Sequence, residues 1–155
     1  LKKFSEEKNY ARFIVDDLLE ERKQKRFGET GELIACISRG LKKRNINLNA
    51  DRWYNLLARV FQGFRIAVNN ELSNIDRFLP DAFDSLNRGG VLTLITFHSL
   101  EERLAYDFTV QLAKEKKAEF IFGRQILAAN REELEENSAS RSAKLYAIKK
   151  LFQNT

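Results

Sequence analysis

The spacing of the apolar residues changes at Asn87-Arg88-Gly89-Gly90, and that change constrains the fold more than any other feature of the chain. Before it, apolar side chains recur every three or four residues, the period of an amphipathic helix. After it, Val91-Leu92-Thr93-Leu94-Ile95-Thr96-Phe97 is an apolar run of strand length. A chain that is helical on one side of a turn and strand-forming on the other is neither all-α nor all-β. The expected class is α/β, a helical lobe joined to part of a sheet.

The helical half divides into four segments. Residues 5 to 26 place Ala11, Ile14, Val15 and Leu18 on one face and stop at Gly28. A second helix is predicted after Thr30, the expected N-cap, carrying Leu33, Ile34, Ile37 and Leu41 and giving way near Gly40. The basic run Lys42-Lys43-Arg44 follows in an expected loop, where it either faces solvent or meets a phosphate backbone. A long helix is predicted over 50–72, capped by Asn49 or Asp51. The fourth pattern, Ile75, Phe78, Leu79, Ala82, Phe83 and Leu86, contains Pro80 and predicts a kink or restart between Asn74 and Leu79. Beyond the turn the prediction is a buried, central, parallel strand over 91–97 and a helix over 99–117. A strand over 118–123, a short acidic helix opening at Asn130 and a final strand over 143–148 follow.

Composition narrows the range of functions. With 155 residues and 12 Phe the chain can bury one core or two small ones. A net charge of +5 permits a polyanionic partner without requiring one. One cysteine, Cys36, and one histidine, His98, exclude an intrachain disulfide framework and a Cys-rich zinc site, and Cys36 reads as a small buried hydrophobe. No apolar run reaches the roughly 18 residues needed to span a bilayer, so the expectation is a soluble, cytoplasmic protein with no membrane partner. The chain starts at Leu1 and has no methionine, which suggests a fragment of a longer product.

Two places carry candidate chemistry. Arg59, Gln62, Arg65 and Asn69 fall on one helical stripe, while Leu57, Val60, Phe61, Phe64 and Val68 line a second face expected to enter the core. Two guanidinium forks and two amides suit phosphate and base edges, although a solvated helix face has the same pattern. The other place is the end of the 91–97 strand, where His98 and Ser99 sit at the position that binds ligands in open α/β sheets. Ser99-Leu100-Glu101-Glu102 is also a capping box, which predicts Ser99 as the helix cap. The adjacent His and Ser do not make a triad, because no orienting acid is identifiable.

Three segments together resemble a known family. Arg59-Val60-Phe61-Gln62-Gly63-Phe64-Arg65-Ile66-Ala67-Val68-Asn69-Asn70-Glu71-Leu72 is similar to the RxFQALRIxVNxEL segment of the bacterial 16S ribosomal RNA cytosine-N4 methyltransferases of the RsmH or MraW type. Gly89-Gly90 through Ile95-Thr96-Phe97-His98-Ser99-Leu100-Glu101-Glu102-Arg103 resembles that family's GGRLxxISFHSLEDR, and Asn137 through Leu145 resembles its NPRARSAKLR. The three occur in family order.

The resemblance covers the whole chain but only the C-terminal half of the family. It implies a helical substrate-recognition lobe over 1–72, followed over 73–155 by the C-terminal strands of a class I, Rossmann-like methyltransferase sheet whose first half is absent. It implies an S-adenosylmethionine-dependent enzyme that methylates the N4 amine of a cytidine in small-subunit ribosomal RNA. The alternative is a non-catalytic RNA-binding or ribosome-assembly module derived from that family. By the same resemblance Arg59, Gln62, Arg65 and Asn69 are substrate-binding candidates, with Arg141 and Lys144 as secondary ones, and His98 and Ser99 wall the reacting pocket. The family's Gly-rich donor loop has no counterpart, so no cofactor-binding residue is assigned and S-adenosylmethionine is not expected to bind this chain alone. Expected partners are ribosomal RNA or the small subunit, with homodimerisation or association through an uncovered sheet edge. The family's Ala-Leu is Gly63-Phe64 here, its Asp before the motif Arg is Glu102, and its final Arg is Tyr146.

Overall fold

The computed structural model describes residues 9–123 and 126–151, so the start of the helix expected over 5–26 lies partly outside the described residues. The chain divides into two compact units, Leu1–Glu71 and Leu72–Thr155. The first is helical: α1 (Ala11–Gln24), α2 (Thr30–Lys43) and α3 (Ala50–Asn69). Ile14 and Leu18 of α1, Cys36, Ile37 and Leu41 of α2, and Leu56, Leu57 and Val60 of α3 form its core. Phe61 and Phe64 pack against that core half-buried, whereas Val68, expected on the same face, is 82% exposed. The inward face of α3 turns instead through Gly63 to Ile66, both buried.

Local chemistry explains the helix ends. Glu29, not Thr30, is the N-cap of α2, and the Glu32 carboxylate accepts the backbone N–H of Gly28 at 2.6 Å and of Glu29 at 3.4 Å. The helix does not give way at Gly40 but runs on to Lys43. Gly40 is buried, and a Cβ there would collide with Asp17 Oδ2, so the missing side chain lets α1 and α2 approach closely. Asp17 is itself fixed, accepting from Arg44 Nη1 at 2.6 Å and Nη2 at 3.0 Å while the guanidinium lies 4.5 Å from the Phe13 ring centroid. The basic run is thus no loop of equivalent charges. Lys42 and Lys43 are exposed in the last turn of α2, and Arg44 is committed to the fold. Asn49 caps α3 by accepting from Arg52 N–H at 3.0 Å, and Asn70 ends it in the left-handed region at φ 53°.

The second unit contains α4 (Glu71–Asp84), β1 (Val91–Thr96), α5 (Ser99–Lys114), β2 (Ala118–Phe120), β3 (Leu127–Ala128), α6 (Arg131–Glu136), a 3-10 turn over Ser138–Ser142 and β4 (Lys144–Lys150). Pro80 stays inside α4, so the expected restart near Asn74 to Leu79 does not occur and the break falls at Asn70. Pro80 and Asp76, whose carbonyl loses a helical partner, are both exposed, and water can take that bond.

The strand order is β1-β4-β2, with β3 also on β4. Both β1 and β2 run antiparallel to β4, so they are parallel to one another, joined by α5, with β4 inserted between. This overturns the expectation that 91–97 is central and buried. Its described pairing is with β4 alone, from Val91 opposite Lys149 to Thr96 opposite Lys144. Its burial alternates, with Leu92, Leu94 and Thr96 turned inward and Val91 and Ile95 exposed. The sheet's central strand is β4, with Ile148 fully buried among Phe83, Leu112 and Ala118. Lys150 joins α4 to β4 by donating from Nζ to the carbonyls of Phe83, Asp84 and Leu86 at 3.0, 3.0 and 2.9 Å.

Candidate functional site

In the first unit, α3 brings Arg59, Gln62, Arg65 and Asn69 onto one flank. Arg59 is exposed. Arg65 donates from Nε and Nη2 to the two Glu71 oxygens at 2.8 and 3.1 Å, and Asn69 Nδ2 donates to Glu71 Oε1 at 3.2 Å. Arg65, Asn69 and Glu71 therefore form one network in which the carboxylate fixes the plane of the guanidinium. The Arg65 side chain remains 57% exposed, so the pair is a surface one and its net worth is modest. Gln62 differs from its neighbours: it is half-buried, and its buried Nε2 makes no hydrogen bond. Beside it runs a groove of about 600 Å³ with Ala58, Phe61, Phe64 and Val68 supplying hydrocarbon and Gln62, Arg65 and Asn69 supplying polar groups.

In the second unit, the end of β1 is organised by His98. Its Nδ1 accepts the backbone N–H of Glu101 at 3.3 Å, which makes His98 the N-cap of α5. Glu101 Oε2 reaches back to accept Phe97 N–H at 2.9 Å. The capping box therefore sits one residue earlier than expected. Ser99, the expected cap, is the exposed first residue of the helix. An imidazole nitrogen three residues ahead of Glu101 holds the acceptor position that a Ser hydroxyl would otherwise fill. Because Nδ1 is an acceptor, the neutral ring carries its proton on Nε2. That nitrogen lies 3.1 Å from Glu101 Oε1, within ion-pair distance, but makes no aligned hydrogen bond. A ring whose lone pair already holds the backbone cannot also take a proton from a substrate without giving up the cap.

Lys144, a secondary candidate, is committed to α5: its Nζ donates to both oxygens of Glu102 at 2.7 and 2.6 Å. Tyr146, diagonal to Thr96 across the β1–β4 ladder, is 4% exposed. Burial, and then the nearby Glu102 charge, push its phenol up to about 12. Arg141 is exposed on the 3-10 turn. Sequence reasoning named Glu101 within the capping box and Tyr146 as a departure from the family, but gave neither a role. Glu101 stands three residues after His98, the capping-box interval, and that spacing was available as a signal. Tyr146 gave none, since its burial depends on pairing across the sheet.

Comparison with known proteins adds one decisive observation: the family model described as "MraW methylase family" matches residues 1–151. The chain belongs to the MraW methylase family. Members similar to it are named "Ribosomal RNA small subunit methyltransferase H". That of Borrelia hermsii is 39% identical over 145 residues, covering 94% of this chain and 46% of the relative. That of Borrelia turicatae is 38% identical over 144 residues, 93% and 46%. The Clostridioides difficile protein is 35% identical over 160 residues, 94% and 50%. The chain thus spans about half the length of the curated relatives it matches. No helix among the described residues is long and apolar enough to cross a membrane.

Proposed function

We propose that this chain forms the substrate-recognition lobe and C-terminal sheet of a Rossmann-like, S-adenosylmethionine-dependent methyltransferase acting on the N4 amine of a cytidine in small-subunit ribosomal RNA. The family match over residues 1–151 carries this reading. The parallel β1 and β2 joined by α5 support the α/β part of it. In this reading the chain's own share of the work is to bind and orient RNA. Arg59 meets phosphate, Gln62 and Asn69 supply hydrogen bonds, and Arg65 presents a guanidinium held by Glu71. His98 holds the turn at the end of β1 through its cap, leaving the Ser99 hydroxyl exposed at the first turn of α5 as a contact for the reacting nucleotide. Arg141 offers a further exposed cation, and Lys144 acts by fixing β4 to α5. Such residues lower a barrier by orientation. The setting is the cytoplasm, where the ribosomal partner resides.

S-adenosylmethionine serves the family, and the described residues do not fit it. A glycine-rich phosphate or nucleoside loop leaves a strand and enters a helix. Here Gly89 and Gly90 precede β1, and a Cβ on Gly90 would sit 2.8 Å from the Asn87 carbonyl, so the glycines serve a tight turn and not an open cradle. The turn that does leave β1, Phe97-His98, has no glycine. We therefore assign no donor-binding residue and no methyl-transfer step to this chain.

The reading is tested by titrating the chain with a small-subunit ribosomal RNA fragment at several salt concentrations. Arg59→Ala is expected to weaken binding and to lower the slope of log K against log salt by about one unit. Arg65→Ala is expected to cost about 1 kcal/mol or less of stability, since its pair is more than half exposed. That is well short of the roughly 3–5 kcal/mol of a buried pair. Unchanged RNA affinity in a well-folded Arg59→Ala chain removes the assignment of α3.

A further inference from the structure

The groove along α3 has walls that phosphate does not need. Phosphate contacts call for exposed cations, which Arg59 already provides at the helix surface. The groove instead lays Ala58, Phe61 and Val68 along one side of the helix, and the Phe61 and Phe64 rings meet edge to face with centroids 6.5 Å apart. Hydrocarbon and ring surface gain nothing from a phosphate, but they cover the face of a heterocycle. Gln62 lines the same groove, and its buried Nε2 is unbonded. An amide pairs a donor with an acceptor, the combination that recognises a base edge.

We propose that this groove receives an unpaired RNA base, with Gln62 reading its edge. The inference rests on the RNA-binding reading above and adds the form of RNA that is bound. A base inside an A-form duplex has both faces stacked and its edges hidden in the grooves, so it cannot enter; a splayed base in a loop or at an end can. The groove's volume of about 600 Å³ accommodates a nucleotide. Val68, 82% exposed, is the apolar surface such a base would cover. Arg65 is pre-oriented by Glu71 on the same groove, offering a flat guanidinium beside the base and a positive charge toward its phosphate. An apolar protein partner would use the hydrocarbon walls but leave the carboxamide unmet, and that is why RNA is favoured.

The test uses the whole chain and fluorescently labelled oligonucleotides: single-stranded RNAs differing in base composition, and a duplex of matched sequence. Two substitutions at exposed positions fill the groove, Ala58→Phe and Val68→Trp, and Gln62→Leu removes the amide. The unsubstituted chain is expected to bind single strands about tenfold or more tightly than the duplex at equal salt. Each filling substitution should lose about tenfold or more of single-strand affinity and at most the roughly one unit of salt slope that Arg65 contributes through the phosphate of that base, while the Arg59 contribution remains. Gln62→Leu should narrow the differences between base compositions. If both filled chains bind single strands as the parent does while Arg59→Ala still lowers the salt slope, the base site is wrong and the RNA-binding reading stands. A filled chain that changes its sedimentation but keeps its RNA affinity makes the groove a protein contact and overturns the proposal. A parent chain that binds no RNA removes both readings.

Discussion

A single ring nitrogen decides what His98 is able to do. With Nδ1 accepting Glu101 N–H, the residue is an orienting cap, and its proton sits on Nε2. The chain has one histidine, so nitrogen-15 NMR reports on this ring without ambiguity. The neutral ring is expected to give the spectrum of the Nε2–H tautomer, and a ring protonated on Nδ1 alone would refute the cap. Replacing His98 by Ala should cost about 1 kcal/mol in urea unfolding, the usual worth of an N-cap. Cys36 makes the opposite kind of statement, about reactivity withheld. It is 2% exposed, and burial first, then its contact with Glu21, push the thiol up to about 11. A raised acid keeps its proton in the fold, so its contribution to stability is complete below the ordinary thiol range near ~8.5 and fades as pH climbs toward the folded value. A thiol reagent at pH 8 should therefore react far more slowly with the folded chain than with the urea-unfolded one. Equal rates would place Cys36 at the surface.

Between elements, the close approach of α1 and α2 depends on the absence of one side chain. Gly40 within a helix costs about 1 kcal/mol relative to Ala, so Gly40→Ala would stabilise an isolated helix. Here the new Cβ meets Asp17, whose carboxylate cannot move aside without leaving Arg44. Crowding of this kind costs about 1–3 kcal/mol, so the substitution is expected to lower stability on balance. Thermal unfolding checks the sign: a higher melting temperature for Gly40→Ala would show that Asp17 has room. The break between α3 and α4 follows similar local logic. Asn tolerates the left-handed conformation that Asn70 adopts, whereas Pro80 on the solvent side of α4 removes only a bond that water replaces.

At the scale of the molecule, the sheet of the second unit is the element that invites company. Among the described residues β1 pairs on one side only, and Val91, Ile95 and Phe97 beside that edge are 45%, 60% and 55% exposed. An apolar strand with an open edge associates with other chains unless something covers it. The isolated chain should therefore self-associate as concentration rises. Ile95→Lys, which places a charge on that face, should shift light scattering toward the monomer. A parent chain that stays monomeric at high concentration would mean the edge is covered.

How much of this was legible beforehand depends on how local each determinant is. The three helices of the first unit, the helix after the strand and the final strand could be read because a 3.6-residue or two-residue period is written in consecutive residues. The resemblance to the methyltransferase family was legible for the same reason: its motifs are contiguous. The stripe on α3 was also visible, but not the groove beside it, because Val68 and Phe61 share the same spacing and only packing decides which of them meets the core. A one-residue contest between His98 and Ser99 for the same backbone N–H is settled by geometry that spacing does not carry. The place of β1 was hidden for the strongest reason. An apolar run states that a strand forms, whereas its neighbour is β4, some fifty residues later in the chain. Sequence alone therefore determined most of the segments that become helix and strand, though not β3, and the family they belong to. Only the tertiary structure decided that β4 lies between β1 and β2 and that Lys144 and Arg44 are committed to carboxylates, because those choices are made by residues that meet through folding.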